Sequence, residues 1–374
     1  MIERQLLARI AESPDDLAPR LVYADWLDEH GRGDRARTIR VECGLDAADV
    51  PAWDPRRADR AAVDEPERWP DLPDGVAWMR SRRRGGFCEG IDGRPAIVLA
   101  RAAELAATWP LRALTIQADR EPLDLDALIA MPIARQLDAL TLVGGALGPD
   151  AIARLCELPR LTSLGLIFDG VTAAGLHALV RSPLMPRLRA LDLTNDFRDD
   201  LGRPIRDAFD GIAVPTLRAL TLAHTGVAAV STVLAACPPL RYLGLSGVQL
   251  RERGWRALAG AALPAWLDAR GTGVVPMRAV HAFRDRANVA AVRNLDLGES
   301  EIGLAALRVL AGMTWPALER LDLRWTSIGA AGVEVLAASA DRFPRLVRVD
   351  ARQADLPPAV QAVVDRWRVS FTAP

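Results

Sequence analysis

Leu111-Arg112-Ala113-Leu114-Thr115-Ile116 and, 26 residues later, Leu137-Asp138-Ala139-Leu140-Thr141-Leu142 share a register, L-x-x-L-x-L, that decides the architecture of this chain. The phrase returns at Leu161, Leu164, Leu166; at Leu188, Leu191, Leu193; at Leu217, Leu220, Leu222; and at Leu240, Leu243, Leu245. A seventh copy is degraded to Pro264, Leu267, Ala269. The pattern recovers at Val292, Leu295, Leu297, sharpens at Leu318, Leu321, Leu323 and fades at Leu346, Val349, Ala351. Successive copies start 23 to 29 residues apart, which gives ten candidate rungs. A unit of this length is one strand and a return segment that cannot bury its apolar edge alone, so the units must stack into one continuous core.

The return segments are apolar at helical spacing: Ile152, Leu155, Leu158; Leu176, Leu179; Leu304, Leu307, Leu310; Val333, Leu336. Residues 302–311 and 328–337 share six identities in ten positions. A strand and a helix per unit resemble leucine-rich repeats of the ribonuclease-inhibitor class. The expected fold is therefore α/β: a leucine-rich repeat solenoid with a parallel sheet on its concave side and helices on the convex side. Asp119, Asp169, Asp196, Thr225, Thr272, Ser300 and Thr326 stand three residues beyond the last motif position and are expected to hydrogen-bond the turning backbone. The sequence leaves open whether 264–291 form a true rung or a break.

Ahead of the array, Ile2 to Ala11 has helical spacing. Ser13-Pro14-Asp15-Asp16 reads as the start of a second helix that buries Leu17, Leu21, Ala24 and Leu27 and stops near Gly31 and Gly33. A third short helix would carry Ile39 and Val41. Pro14-Asp15-Asp16, the run from Arg20 to Glu29 (RLVYADWLDE) and the Gly- and Arg-rich turn after it resemble the bacterial repeat-companion domain over residues 1–45. That resemblance implies a downstream repeat array and names no chemistry, while the arginine-only cations read as a bacterial gene; Thr38 stands where the family usually has an aromatic. The expected organisation is a helical domain at 1–45, an irregular connector at 46–84 containing Trp53, Trp69 and Trp78, a capping repeat at 85–110 and the array at 111–374.

Half of the 374 residues are apolar and a quarter are charged, enough for a large core, and the net charge of −1 gives no global attraction to nucleic acid or an anionic membrane. All 47 basic residues are arginine. Cys43, Cys88, Cys156 and Cys237 lie too far apart to suggest a disulfide framework or zinc site. No leader or spanning segment is read, so a cytoplasmic location is expected.

By strand alternation the third, fifth, seventh and eighth motif positions face the concave wall. Early rungs offer Ala113 and Thr115, Ala139 and Thr141, Ser163 and Gly165, Ala219 and Thr221, a smooth and chemically quiet surface. Late rungs offer Trp266, Asp268, Arg270; Asn294, Asp296, Glu299; Arg320, Asp322, Arg324, Trp325; and Arg348, Asp350, Arg352, Gln353. Trp and Arg are enriched at binding hot spots, which makes Trp266, Asp268, Arg270, Arg320, Asp322, Arg324, Trp325, Arg348, Asp350 and Arg352 the candidate partner-binding set. The plainer alternative is a column of aspartates that arginines neutralise.

Asp25, Asp28, Glu29 and His30 read as the polar side of a helix with no defined coordination set, and Arg80-Ser81-Arg82-Arg83-Arg84 as a solvated edge. Of the histidines, His30 and His177 sit on helix surfaces, His281 in an irregular stretch and His224 at a concave position, none beside a recognisable nucleophile motif. No catalytic, cofactor or metal site is expected. The function expected from sequence is a non-catalytic protein–protein interaction module, with nucleic-acid binding through arginine clusters and regulation of a partner enzyme as alternatives.

Overall fold

The computed structural model describes residues 2–47, 72–79, 83–118, 121–168, 170–195, 201–237, 240–286 and 289–351. Trp53, Trp69, Arg80 to Arg82, Asp119, Asp169, Asp196, Arg352 and Gln353 lie outside the described residues. The chain divides into two compact units, residues 1–146 with 150–164, and residues 147–149 with 165–374.

The first unit begins with α1 (Ile2–Glu12), α2 (Ala18–Glu29) and α3 (Gly33–Ala47). The second helix starts later than its sequence suggests. Pro14-Asp15-Asp16 forms a turn, the Asp16 carboxylate accepts the Ala18 N–H at 2.9 Å, and Pro19 occupies the first helical turn. Its buried face is also different: Arg20, Tyr23, Ala24 and Leu27 are inside, whereas Leu21 is exposed and Leu17 only half-buried. The reason is a buried salt bridge between Arg20 and Glu89, with Arg20 also donating to the carbonyls of Arg84 and Pro14. α3 is longer than expected and buries Arg35, Ala36, Ile39 and Glu42, while Val41 is exposed.

Four short strands follow: β1 (Val76–Trp78), β2 (Arg83–Arg84), β3 (Phe87–Cys88) and β4 (Gly90–Gly93). β2 and β3 form a hairpin around Gly85 and Gly86, both in the left-handed region. A β-carbon on Gly86 would sit 2.9 Å from the Ile39 Cα, so glycine is what lets α3 lie against this turn. Aromatic rings fill the space beneath: Phe87 packs against Tyr23 at 5.9 Å and Trp109 at 5.2 Å, and Trp109 meets Trp78 at 5.6 Å. β4 pairs antiparallel with β1 on one side and parallel with β5 (Ala113–Gln117) on the other; β5 pairs parallel with β6 (Ala139–Val143). The helix Pro95–Leu105 connects β4 to β5 and packs against both, so the three make the first rung. On the early sheet face Ala113, Thr115 and Ala139 are buried, Thr141, Ser163 and Thr221 are half-buried, and the Thr115 hydroxyl lies against the Met79 sulfur at 3.4 Å.

Beyond β7 (Ser163–Ile167), the second unit carries β8 (Ala190–Asp192), β9 (Ala219–Thr221), β10 (Tyr242–Gly244), β11 (Trp266–Asp268), β12 (Asn294–Asp296), β13 (Arg320–Asp322) and β14 (Arg348–Asp350). β8 to β14 pair in parallel with equal motif positions opposite one another, so Leu191, Leu220, Leu243, Leu267, Leu295, Leu321 and Val349 form one buried row. The strand of residues 264–291 takes the regular register, pairing in parallel with the strands on both sides. Leu267 and Ala269 are fully buried, and in the helical layer the Phe283 ring lies 6.1 Å from that of Trp255 and 6.4 Å from that of Trp315. His281, expected in an irregular stretch, is exposed on the helix Met277–Arg286.

The turns leaving the strands also repeat. The eighth motif residue takes a left-handed backbone at Phe168, His224, Gly247, Gly271, Glu299 and Trp325, with φ between 50° and 70°. Its N–H donates to the neighbouring rung: His224 to Ser246, Gly247 to Arg270, Gly271 to Gly298 and Glu299 to Arg324. One residue on, the expected turn bonds form. Thr225, Thr272 and Thr326 are buried and donate to the carbonyls of Leu222, Ala269 and Leu323, and Ser300 donates to Ala269.

Candidate recognition face of the later repeats

The fifth motif position places aspartates on one face of the second unit, and register aligns Asp268, Asp296, Asp322 and Asp350 on consecutive strands. Each of the first three is anchored locally. Its Oδ1 accepts the N–H two residues on, from Arg270 at 3.0 Å, Gly298 at 2.9 Å and Arg324 at 3.0 Å. Asp192 does the same for Thr194 at 2.9 Å. These bonds fix the strand-to-turn corner, which is why the position tolerates Asp on rung after rung.

Like charges at strand spacing repel, and partial burial sharpens the conflict. Burial, then Asp322 and Asp268, push the Asp296 carboxyl up to about 6 against the opposing Gly298 N–H and Arg270. Burial also raises Asp268 and Asp192. Tyr242, whose phenol is raised by burial and by Asp268 and Asp192, keeps its proton and donates it to Asp268. Its ring meets Trp266 edge-on at 5.3 Å.

The arginines relieve the column unevenly. Arg324 grips Asp322 with Nε at 2.7 Å and Nη2 at 2.6 Å, and reaches Asp350 at 3.6 Å. Arg270 stands 3.6 Å from Asp296 and 3.7 Å from Glu299. Arg320 and Arg348 follow Trp266 and Asn294 along the third-position row, half-buried. One member of the candidate set is displaced: Asp350 is buried, 3.6 Å from the Arg324 guanidinium, and it offers no exposed contact.

Trp325 stands apart. It is 55% exposed and holds φ of 59° at a position where rungs six and seven use Gly247 and Gly271. A left-handed non-glycine residue costs about 1–2 kcal/mol. The late-rung pattern in the sequence finds Trp266, Trp325 and the aspartates. It misses Tyr242 and Asp192, which occupy the same third and fifth positions in rungs outside the candidate set.

Other candidate groups are engaged elsewhere. Arg40 bridges Asp25 at 2.7 Å and Asp28 at 2.6 Å, and the His30 ring nitrogen lies 2.8 Å from the Trp26 carbonyl oxygen. Arg84 pairs with Asp15. His224, on its left-handed turn, lies over Gly247. Among the described residues, no group of three or more His, Cys, Asp or Glu could hold a metal ion, the cysteines are free, and no helix is long and apolar enough to cross a membrane.

No protein-family model matches the chain, and no curated protein matches it in sequence. Among solved structures it is similar to an internalin of Listeria monocytogenes, at 16% identity and a TM-score of 0.41, covering 73% of this chain and 77% of that one. It is also similar to the leucine-rich repeat-containing protein LegL7 of Legionella pneumophila, at 16% identity and 0.40, covering 65% and 74%. A third similar structure is the yeast complex of Rad7 and Elc1, at 13% identity and 0.36, covering 94% and 93%. The repeat assignment stands on the chain's own register. The rungs are leucine-rich repeats, each a strand and a return segment in the order the leucines dictate.

Proposed function

We propose that this protein is a non-catalytic recognition module that binds another protein through the sheet face and exit turns of its later repeats, over Trp266, Asp268, Arg270, Arg320, Asp322, Arg324, Trp325 and Arg348. The observation that carries the reading is Trp325, a large apolar ring held in water on a left-handed backbone, where two earlier rungs use glycine. Folding gains nothing from that choice, whereas an exposed tryptophan beside anchored arginines is what a protein interface uses. Arg270 and Arg324 enter as groups already oriented by carboxylates, so a partner would meet a preordered surface. The acidic column disfavours nucleic acid on this face. Helices α1 to α3, which resemble a repeat-companion domain, serve on this reading as a structural companion to the capping rung, and a cytoplasmic location fits the free cysteines.

The test is capture of partners from native lysate by wild type and by Trp266→Ala/Trp325→Ala, with folding of both checked by thermal melting. A protein held by the first and released by the folded variant supports the reading; equal retention contradicts it.

A further inference from the structure

The second motif position, just before each strand, carries arginine on three consecutive rungs: Arg189, Arg218 and Arg241. Backbone bonds stack them directly. The Arg218 N–H donates to the Arg189 carbonyl at 2.8 Å and the Arg241 N–H to the Arg218 carbonyl at 2.7 Å, so three cations recur at about 4.8 Å along one edge.

Elsewhere this position is neutralised from the next rung. Arg112 meets Asp138 at 2.8 Å, and Arg293 meets Glu319 at 3.9 Å. Among the described residues, Arg189, Arg218 and Arg241 face no carboxylate within salt-bridge distance. Two of them instead converge on the carbonyls of one turn: Arg189 donates to Thr216 at 3.3 Å, and Arg218 to Pro215 and Leu217, both at 3.1 Å. Arg189 and Arg241 are exposed. Stacked like charges without counter-charge are unfavourable in the free protein and become favourable once an anionic group lies over them.

We propose that the Arg189–Arg218–Arg241 edge binds a carboxylate-rich segment of a protein partner. This deepens the recognition reading and rests on it, but uses residues outside the Trp266–Trp325 face. Guanidinium forks suit carboxylates and phosphates alike. The aspartates of the same sheet decide between them. Asp192 lies three residues along the strand from Arg189, about 10 Å away, and Asp268 continues the Asp192 row one strand beyond Arg241. A uniformly charged phosphate backbone wide enough to span the edge would meet that repulsion, whereas a peptide can put acids over the arginines and basic or neutral residues over the aspartates.

The experiment is fluorescence anisotropy at low salt with two labelled probes, a Glu-Ala repeat peptide and a single-stranded oligothymidine. Wild type is compared with Arg189→Gln/Arg218→Gln/Arg241→Gln, with Arg253→Gln/Arg278→Gln/Arg308→Gln, which removes exposed arginines scattered on helices, and with Trp266→Ala/Trp325→Ala. The expected result is peptide binding that the edge variant weakens by about tenfold or more, and that the scattered-arginine and tryptophan variants retain within about twofold. No peptide binding, or equal losses in the two arginine variants, overturns the proposal; tighter oligothymidine binding that is lost with the edge variant replaces the partner class with nucleic acid. Melting of each variant excludes unfolding as the cause. Failure of the tryptophan variant to release a captured partner would instead sink the face reading while leaving the peptide result in place.

Discussion

In the first unit charged side chains act as internal fasteners, with Arg20 fully buried against Glu89 and Asp15 collecting Arg84, Arg112 and Arg160. In the second, charge lies in rows on the sheet face and its edge, because the geometry that aligns leucines inside also aligns like charges outside. The pKa shifts cut across this division: in the first unit burial pushes the Glu89 carboxyl up to about 7, although Arg20 and Arg112 oppose it. Burial alone would raise the Asp15 carboxyl, but hydrogen bonds from Arg160 and Arg112 hold it well below the usual carboxylate range. Asp296 moves the other way, to about 6. The lesson is that a charge inside the fold depends on the partners that reach it, as Asp15 does, whereas a row of like charges on a surface is relieved in part by its own arginines and in part by what binds there.

The largest expected effect belongs to Arg20→Ala, which strands Glu89 inside the first unit and should cost roughly 3–5 kcal/mol in denaturant unfolding. Arg20→Met with Glu89→Met, removing both charges, should recover much of that loss; if the single and double variants are equally unstable, packing rather than charge holds this joint. In the second unit, where apolar stacking does the holding, Leu321→Ala in the buried row should cost about 2–5 kcal/mol.

Asp296→Asn probes the same contrast with the opposite sign. The native carboxyl binds its proton more tightly than an unfolded one near 3.9, so its contribution is fully present below about pH 4 and is lost as pH rises through about 6. Asparagine keeps the acceptor for the Gly298 N–H and loses the repulsion, so stability at pH 7 should rise by on the order of 1 kcal/mol. Melting the variant from pH 4 to 7 should also show a flatter profile than wild type. Asp15 contributes the reverse slope, its share of stability being lost as pH falls below about 4, while Glu89 gives the first unit a share that is lost as pH rises through about 7. Smallest of all, Trp325→Gly should leave stability unchanged or raise it by up to about 1 kcal/mol, since it relieves a left-handed tryptophan. Marked destabilisation would mean that Trp325 serves the fold.

The leucine register makes the strands, their parallel order and the turn threonines legible in the sequence, because each depends on a period the chain repeats many times. What stays hidden depends on single contacts between distant residues. Arg20 reads as a surface residue on a helix until Glu89, 69 residues away, is brought to it. Asp15 reads as a helix-start acid and is instead an arginine acceptor. Rung seven lacks motif leucines at Pro264 and Ala269, yet its strand keeps the register of both neighbours, with Leu267 opposite Leu243 and Leu295. Trp266 and Trp325 are legible by their motif position alone. The buried state of Asp350 is not, since the motif gives its position on the strand and not how deeply the fold encloses it.

Recognition of a protein by the sheet face and exit turns of the later repeats is tested most directly by site-specific cross-linking. A photoreactive amino acid is placed at position 325 and, in a separate protein, at position 308 on the helical side, and each is irradiated in native lysate. The expected result is a discrete cross-linked protein from position 325 that excess unlabelled wild type competes away, and none from 308. Cross-links of equal yield from both positions, or only from 308, would contradict it.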